Sequence, residues 1–195
     1  MPNAIAILVA YVLGSIDFGV IVPRLMGIDI YQQGSGNPGT SNVFRSVGKG
    51  PAALVMLGDA LKGLGAAAIG SIVGGETIGF ACALAAVVGH VFPVWHGFRG
   101  GRGVATAIGA AVWLEPVYGL LLAVGWAATV AVTKTASIAS LVAMALYVPM
   151  FALGGQRGVR LVLAGATALL VMLRHSGNIQ RLLAGGERRV DSDTP

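Results

Sequence analysis

Residues 77–95 read TIGFACALAAVVGHVFPVW, nineteen positions without a lysine, arginine, aspartate or glutamate. A bilayer requires such a helix, since about 20 mostly apolar residues cross the hydrocarbon core. Working outward, comparable runs occupy 4–26, 51–73, 104–114, 116–132, 137–154 and 158–173. The run 104–114 is short, and Glu115-Pro116 divides it from the next. It either starts further back in a glycine cluster or enters the bilayer partway. Composition agrees with a membrane chain. Of 195 residues, 55% are hydrophobic and 11% are charged, whereas a soluble domain carries about 25% charged residues. Mean hydropathy is +0.80. The 30 glycines follow no three-residue period and suit close helix contacts. A single cysteine, Cys82, excludes a disulfide framework and a cysteine-based metal site. Composition thus rules out a secreted disulfide scaffold, a disordered chain and, despite a pI near 9.9, a soluble nucleic-acid binder. The predicted fold is all-α, a polytopic membrane helix bundle with about seven transmembrane spans. One domain covers 1–184, and the polar tail 185–195 is expected to fray.

Seven spans put the termini on opposite sides. With the N-terminus outside, Arg24, Arg45, Lys49, Arg99, Arg102, Lys134, Arg174, Arg181, Arg188 and Arg189 fall inside. Only Arg157 and Arg160 fall outside, and Lys62 lies within a span. The positive-inside rule therefore orients the chain N-out with a cytoplasmic C-terminus, as a multi-pass protein of the cytoplasmic (inner) membrane. Met1-Pro2-Asn3 has no basic n-region, so the first run is read as a retained helix.

Three polar clusters fall on that inner side. The first, 27–50, reads GIDIYQQGSGNPGTSNVFRSVGKG. Gly34-x-Gly36-x-x-Gly39 matches a dinucleotide fingerprint only formally, because no strand precedes it and no βαβ pattern surrounds it. Its local physics remains informative: glycines let successive backbone N–H groups converge on an anion. Ser41 or Asn42 is expected to cap a short helix ending near Gly48, with Arg45 one turn in. The second cluster runs from Gly89-His90 through Phe98-Arg99-Gly100-Gly101-Arg102-Gly103 to Thr106. An arginine fork suits phosphate oxygens; Arg102, between two glycines, is read as a ligand and Arg99 as a topological anchor. His90 is as consistent with structure as with catalysis. In the third cluster, Arg174, Asn178 and Arg181 share one stripe if the helix continues, with His175 beside them and Glu187 available to pair an arginine.

Asp59 and Lys62 stand three apart within the second run. An unpaired charge at a helix centre costs about 2.5–3.5 kcal/mol on insertion scales, so the two should meet in the bundle interior. Asp17 has no partner at i±3 or i±4 and should face a cavity or a cation from another helix. Ser137 and Ser140 open the sixth span, able to donate to a headgroup or to backbone. Clusters that converge at one membrane face imply a shared site that binds oxyanions beside acyl chains, for a phosphate-bearing, partly lipidic substrate. No metal motif, nucleophile elbow or thiol pair is present in the sequence.

These residues resemble a known family, the bacterial membrane acyltransferases that use acyl phosphate to acylate glycerol 3-phosphate. The family pattern has G-S-x-P-x-G in the first span, G-S-G-N-x-G-x-x-N-x-x-R in the next loop and D-x-x-K-G in the second span. It continues with G-H-x-F-P…F-K-G-G-K-G-V-A-T and ends with H-x-x-N-I-x-R-L-x-x-G-x-E. Here Gly14-Ser15, Gly34 through Arg45, Asp59…Lys62-Gly63, Gly89 through Thr106 and His175 through Glu187 match in order and spacing. Asp17 stands in place of the proline, Thr40-Ser41 in place of Ala-Thr, and Arg99 and Arg102 in place of lysines. The resemblance implies acyl transfer to the sn-1 hydroxyl, yielding lysophosphatidic acid and phosphate, as the first step of phospholipid synthesis. It assigns Arg45, Lys62 and Arg102 to phosphate clamping, and His175 with Asn178 to orienting the acceptor or polarising the carbonyl. Ser35, Gly36, Asn37, Gly39, Asn42, His90, Gly100, Gly101, Gly103, Ser137 and Arg181 form the remaining substrate pocket. The implied partners are acyl phosphate, glycerol 3-phosphate and the bilayer, with no metal, nucleotide cofactor or nucleic acid. A phosphate-ester or lipid transporter, and a catalytically weak relative acting as a partner protein, are the alternatives.

Overall fold

The computed structural model describes residues 1–190, and among them it is helical throughout. The helices are α1 (Pro2–Gly14), α2 (Phe18–Leu25), α3 (Thr40–Ser46), α4 (Lys49–Gly74) and α5 (Glu76–Val91). They continue with α6 (Val104–Leu114), α7 (Pro116–Thr133), α8 (Ala136–Leu153), α9 (Val159–Leu173) and α10 (Ser176–Leu183). The long helix α4 is the axis of the bundle, packed on α1, α5 and α6. Glycines make that packing close: a side chain at Gly63 would strike the Thr106 backbone of α6, and one at Gly109 would strike Ala60 of α4. Gly14 and Gly89 play the same part between α1 and α5. Backbones that approach this closely gain dispersion and order the bundle without a hydrophobic driving force between helices.

Of the seven runs expected to span, fewer meet the length and composition of a crossing helix. Five helical segments are long and apolar enough to cross a membrane, or six if α9 and α10, bent by 54°, count as one. The run at 104–114 forms α6, an 11-residue helix that falls short of the length required. The glycine cluster before it does not extend it, because Gly103 adopts φ +87° and stops the helix there.

The first span is broken. α1 ends at Gly14 and α2 begins at Phe18, with Asp17 as its N-cap accepting a hydrogen bond from the Gly19 N–H at 3.0 Å. This explains why Asp17 has no helical partner: it stands at a helix start, fully buried. Its second carboxylate oxygen has no hydrogen-bond partner among the described residues; the groups that act favourably on its charge from other helices are His90 of α5 and the Lys62 ammonium of α4. The last helix is broken as well. Arg174 leaves the stripe expected for it and lies over the Phe92 ring at 5.8 Å, while Asn178 and Arg181 remain on α10. The described part of the tail folds back, and the Val190 N–H donates to the Lys134 carbonyl at 2.7 Å; residues 191–195 lie outside the described residues.

At the far end from these breaks, Gln156 donates to both Glu76 and Glu115 at 2.6 Å, and Arg160 bonds Glu76 and Gln156. This network joins the start of α5, the α6–α7 junction and the α8–α9 turn.

Candidate active site

The glycine turn between α2 and α3 is braced by Asn42. Asn42 Oδ1 accepts from the Ser35 N–H at 2.9 Å, and its Nδ2 donates to the Gln33 carbonyl at 3.0 Å. Neither Asn42 nor Ser41 caps α3, as the sequence suggested; Gly39 is the N-cap, with no side-chain bond. An amide can satisfy a donor and an acceptor at once, so Asn42 fixes both ends of the glycine turn, while a cap would satisfy one. The turn delivers Ser35, Asn37 and Arg45 to a cavity of about 310 Å³.

From the α5–α6 loop come Arg102 and Gly103, and from α5 His90. Gly100 and Gly101 lie behind them. Gly101 donates to the His90 carbonyl at 3.1 Å and Gly100 to that of Val91 at 3.2 Å, and a side chain on either would collide with His90. Arg99 turns away, stacked on the Tyr31 ring at 4.9 Å, whose hydroxyl donates to the Arg99 carbonyl. His175, at the bend between α9 and α10, closes the cavity opposite the loops. Ser35, Asn37, Gly39, Asn42, Arg45, His90, Arg102, Gly103 and His175 therefore share one cavity. Ser137, Asn178 and Arg181 surround a smaller polar recess that also borders Ser35, Arg45, Arg102 and His175.

Three expected residues are not on the wall. Gly36, at φ +67°, turns the loop against the Tyr31 carbonyl; Gly100 and Gly101 support His90. Lys62 is a fourth departure. Its ammonium donates to the Ile16 carbonyl at 2.7 Å, pairs with Asp59 at 2.8 Å and reaches His90 Nδ1 at 2.9 Å. All three of its donors are occupied, so it is buried in the bundle and does not line the cavity. The break between α1 and α2 explains this, since it frees the Ile16 carbonyl for the lysine to satisfy.

The two cavity histidines are set in opposite tautomers. His175 Nδ1 lies 2.7 Å from the Val171 carbonyl. A carbonyl only accepts, so Nδ1 carries the hydrogen and Nε2 is an acceptor. His90 Nδ1 receives a hydrogen bond from Lys62, so its hydrogen is on Nε2, next to Gly101. One imidazole can take a proton and the other can donate a hydrogen bond.

Arg45 and Arg102 have no hydrogen-bond or ion-pair partner recorded among the described residues. Burial lowers the Arg102 guanidinium from its ordinary value to about 10, Arg181 and Arg45 lower it too, and Glu187 opposes them. Burial likewise lowers Arg45, with Arg188 beside it. The carboxylate of Glu187 is taken already: it accepts from Ser137 at 3.0 Å, Asn178 at 2.6 Å and Arg181 at 2.9 Å. Sequence reading named Glu187 as a partner for an arginine without placing it in the recess. The remainder of the cavity is apolar, with Met56 and Ala60 of α4, Ile108 of α6 and Ala123, Trp126 and Ala127 of α7. No motif marked these residues, because apolar side chains in a membrane helix give no contrast by which to find them.

The family model for glycerol-3-phosphate acyltransferase matches residues 4–185. The glycerol-3-phosphate acyltransferase of Sinorhizobium medicae is 46% identical over 193 residues, covering 97% of this chain and 94% of that one. That of Rubrobacter xylanophilus is 40% identical over 190 residues, covering 97% and 96%. Among solved structures, the crystal structure of PlsY (YgiH), an integral membrane glycerol 3-phosphate acyltransferase, in its glycerol 3-phosphate form superposes with a TM-score of 0.92. It is 36% identical, with 97% of this chain and 96% of that one covered. The lysophosphatidic acid form superposes at 0.90, covering 97% and 95%.

Proposed function

Because the chain belongs to the glycerol-3-phosphate acyltransferase family and is itself such an enzyme, we propose how its cavity performs the transfer. The donor is acyl phosphate and the acceptor is the sn-1 hydroxyl of glycerol 3-phosphate. The hydroxyl oxygen bonds to the acyl carbon, the carbon–oxygen bond to phosphate breaks, and the hydroxyl proton ends on the departing phosphate. Phosphate leaves readily from such an anhydride, so the protein has mainly to align the reactants and hold their charge. Arg45 and Arg102 clamp the phosphates. The recess of Ser137, Asn178 and Arg181 seats the acceptor, and the α4–α7 side takes the acyl chain. His175 Nε2 takes the hydroxyl proton and passes it to the departing phosphate, and His90 Nε2–H is a donor to a substrate oxygen. Lys62 acts through His90 and Asp59, as a positioning residue.

The observation that carries this reading is a pair of guanidinium groups, without a hydrogen bond or ion pair among the described residues, bordering both a polar recess and an apolar arm. Orientation is part of the proposal: the site faces the cytoplasm, the N-terminus is outside, and the chain passes between the two ends seven times. In support, α6 runs from Gly103 at the cavity to the residue before Glu115 in the Gln156 network, so it joins the same two ends as its longer neighbours. The basic residues gather at the cavity end, as the positive-inside rule requires of a cytoplasmic face. The test is to give purified protein acyl phosphate and labelled glycerol 3-phosphate and look for labelled lysolipid. The reading expects product from the wild type and almost none from Arg45→Ala or Arg102→Ala. Full activity in both variants contradicts it.

A further inference from the structure

The apolar arm of the cavity is lined on α4, α6 and α7 mainly by small side chains, Ala60, Ala105, Ala123 and Ala127 among them. One large rigid group interrupts this pattern. Trp126 faces the cavity from α7 and packs against the main core, with its Nε1–H donating to Ser140 Oγ at 3.1 Å. Ser140 in turn donates to the Ala136 carbonyl at 2.7 Å, so the hydroxyl is fixed and the indole with it. Ser140 is 5% exposed and borders both the apolar cavity and the polar recess that contains Arg45, Arg102 and His175. The indole edge therefore lies where the headgroup seat passes into the acyl arm. The cavity is also open sideways toward lipid, since Met56 lines it while 43% exposed.

We propose that Trp126, pinned by Ser140, is a specificity-determining residue for the acyl donor: it walls the first carbons of the chain and excludes donors branched next to the carbonyl. The proposal rests on the acyl-transfer reading above. A flat aromatic wall admits a straight methylene chain and collides with a methyl branch at that level. One methylene in an apolar pocket changes kcat/KM by about 10–200-fold. Carbons further out face the lateral opening, where branching meets no wall, so the effect is confined to branches near the carbonyl.

The experiment measures kcat/KM for palmitoyl phosphate and for its α-methyl-branched counterpart, with glycerol 3-phosphate as acceptor. In Trp126→Ala the branched-to-straight ratio is expected to rise about tenfold over the wild type, with the KM for glycerol 3-phosphate within about twofold. Trp126→Phe, which keeps a ring and loses the donor, and Ser140→Ala, which frees the indole, should each move the ratio the same way by about threefold. A ratio unchanged in every variant that turns over the straight donor overturns the proposal, as does an equal loss on both donors. If the wild type uses an acyl thioester and no acyl phosphate, the donor assignment falls, and the same ratio taken with thioesters still decides on Trp126.

Discussion

At one end of the bundle Gln156 bridges Glu76 and Glu115, and Arg160 answers their charge. At the other end Arg45 and Arg102 face a cavity, while the Glu187 carboxylate that shares their recess is held by Ser137, Asn178 and Arg181. The first network is closed and the second is short of negative charge. A closed network contributes to stability, because each polar group finds a partner that it would lose on unfolding. An open cationic seat costs stability and stores affinity for an anion. The same contrast separates Lys62 from Arg102: both are cations within the bundle, but only the lysine has a carboxylate at 2.8 Å.

The largest expected effect breaks the open end. Arg102→Ala and Arg45→Ala should each lower turnover by about 100–1000-fold, the magnitude lost with one donor to a developing oxyanion. Thermal unfolding in detergent should stay near that of the wild type. Asp59→Ala should instead lower stability by about 3–5 kcal/mol, since it leaves Lys62 buried without its counter-ion. That loss would appear in the melting temperature before any kinetic constant is measured.

Gln156→Ala sharpens the comparison from the closed end. It should cost about 1–2 kcal/mol of stability, with kcat unchanged in the protein that remains folded. Arg102→Met should show the reverse pattern. Because burial brings Arg102 down to about 10, the folded chain holds that proton less tightly than the unfolded chain. The charge therefore opposes folding at every pH below both values, and the cost is relieved as pH rises through about 10. Removing the charge should raise stability by about 1 kcal/mol at neutral pH while abolishing most activity. For the same reason wild-type KM for glycerol 3-phosphate should climb as pH approaches 10, where the guanidinium begins to lose its proton.

Much of the cavity was legible because its chemistry sits in unusual sequence. Glycine-rich loops bearing Asn42, Arg45 and Arg102 stand out between apolar runs, and charge counting put them at one end. Lys62 stands off the cavity wall for an equally physical reason. Its spacing from Asp59 disclosed the ion pair, but the carbonyl of Ile16, freed by a break in another helix, has no signature in the sequence around Lys62. Asp17 lacks a partner at i±3 or i±4 because it is the cap that starts α2 after that break. Arg174 was assigned to a stripe that the 54° bend dissolves. Hydropathy found where the apolar segments lie, α6 included, but a run of apolar residues does not reveal whether its helix is long enough to cross. The pairing of Glu187 with an arginine was legible, but its place in the recess and that of Trp126 beside the cavity were not, because they depend on a tail folding back and on an indole meeting Ser140 across two helices.

The most direct measurement is the shift in melting temperature that glycerol 3-phosphate produces in detergent, taken for the wild type, the Arg45→Ala/Arg102→Ala double variant and Gln156→Ala. An anion that fills an uncompensated cationic seat stabilises the folded chain through linkage. The wild type and Gln156→Ala should therefore show equal upward shifts, and the double variant almost none. A full shift in the double variant, or its loss in Gln156→Ala alone, would contradict the assignment of the phosphate seat to the two arginines.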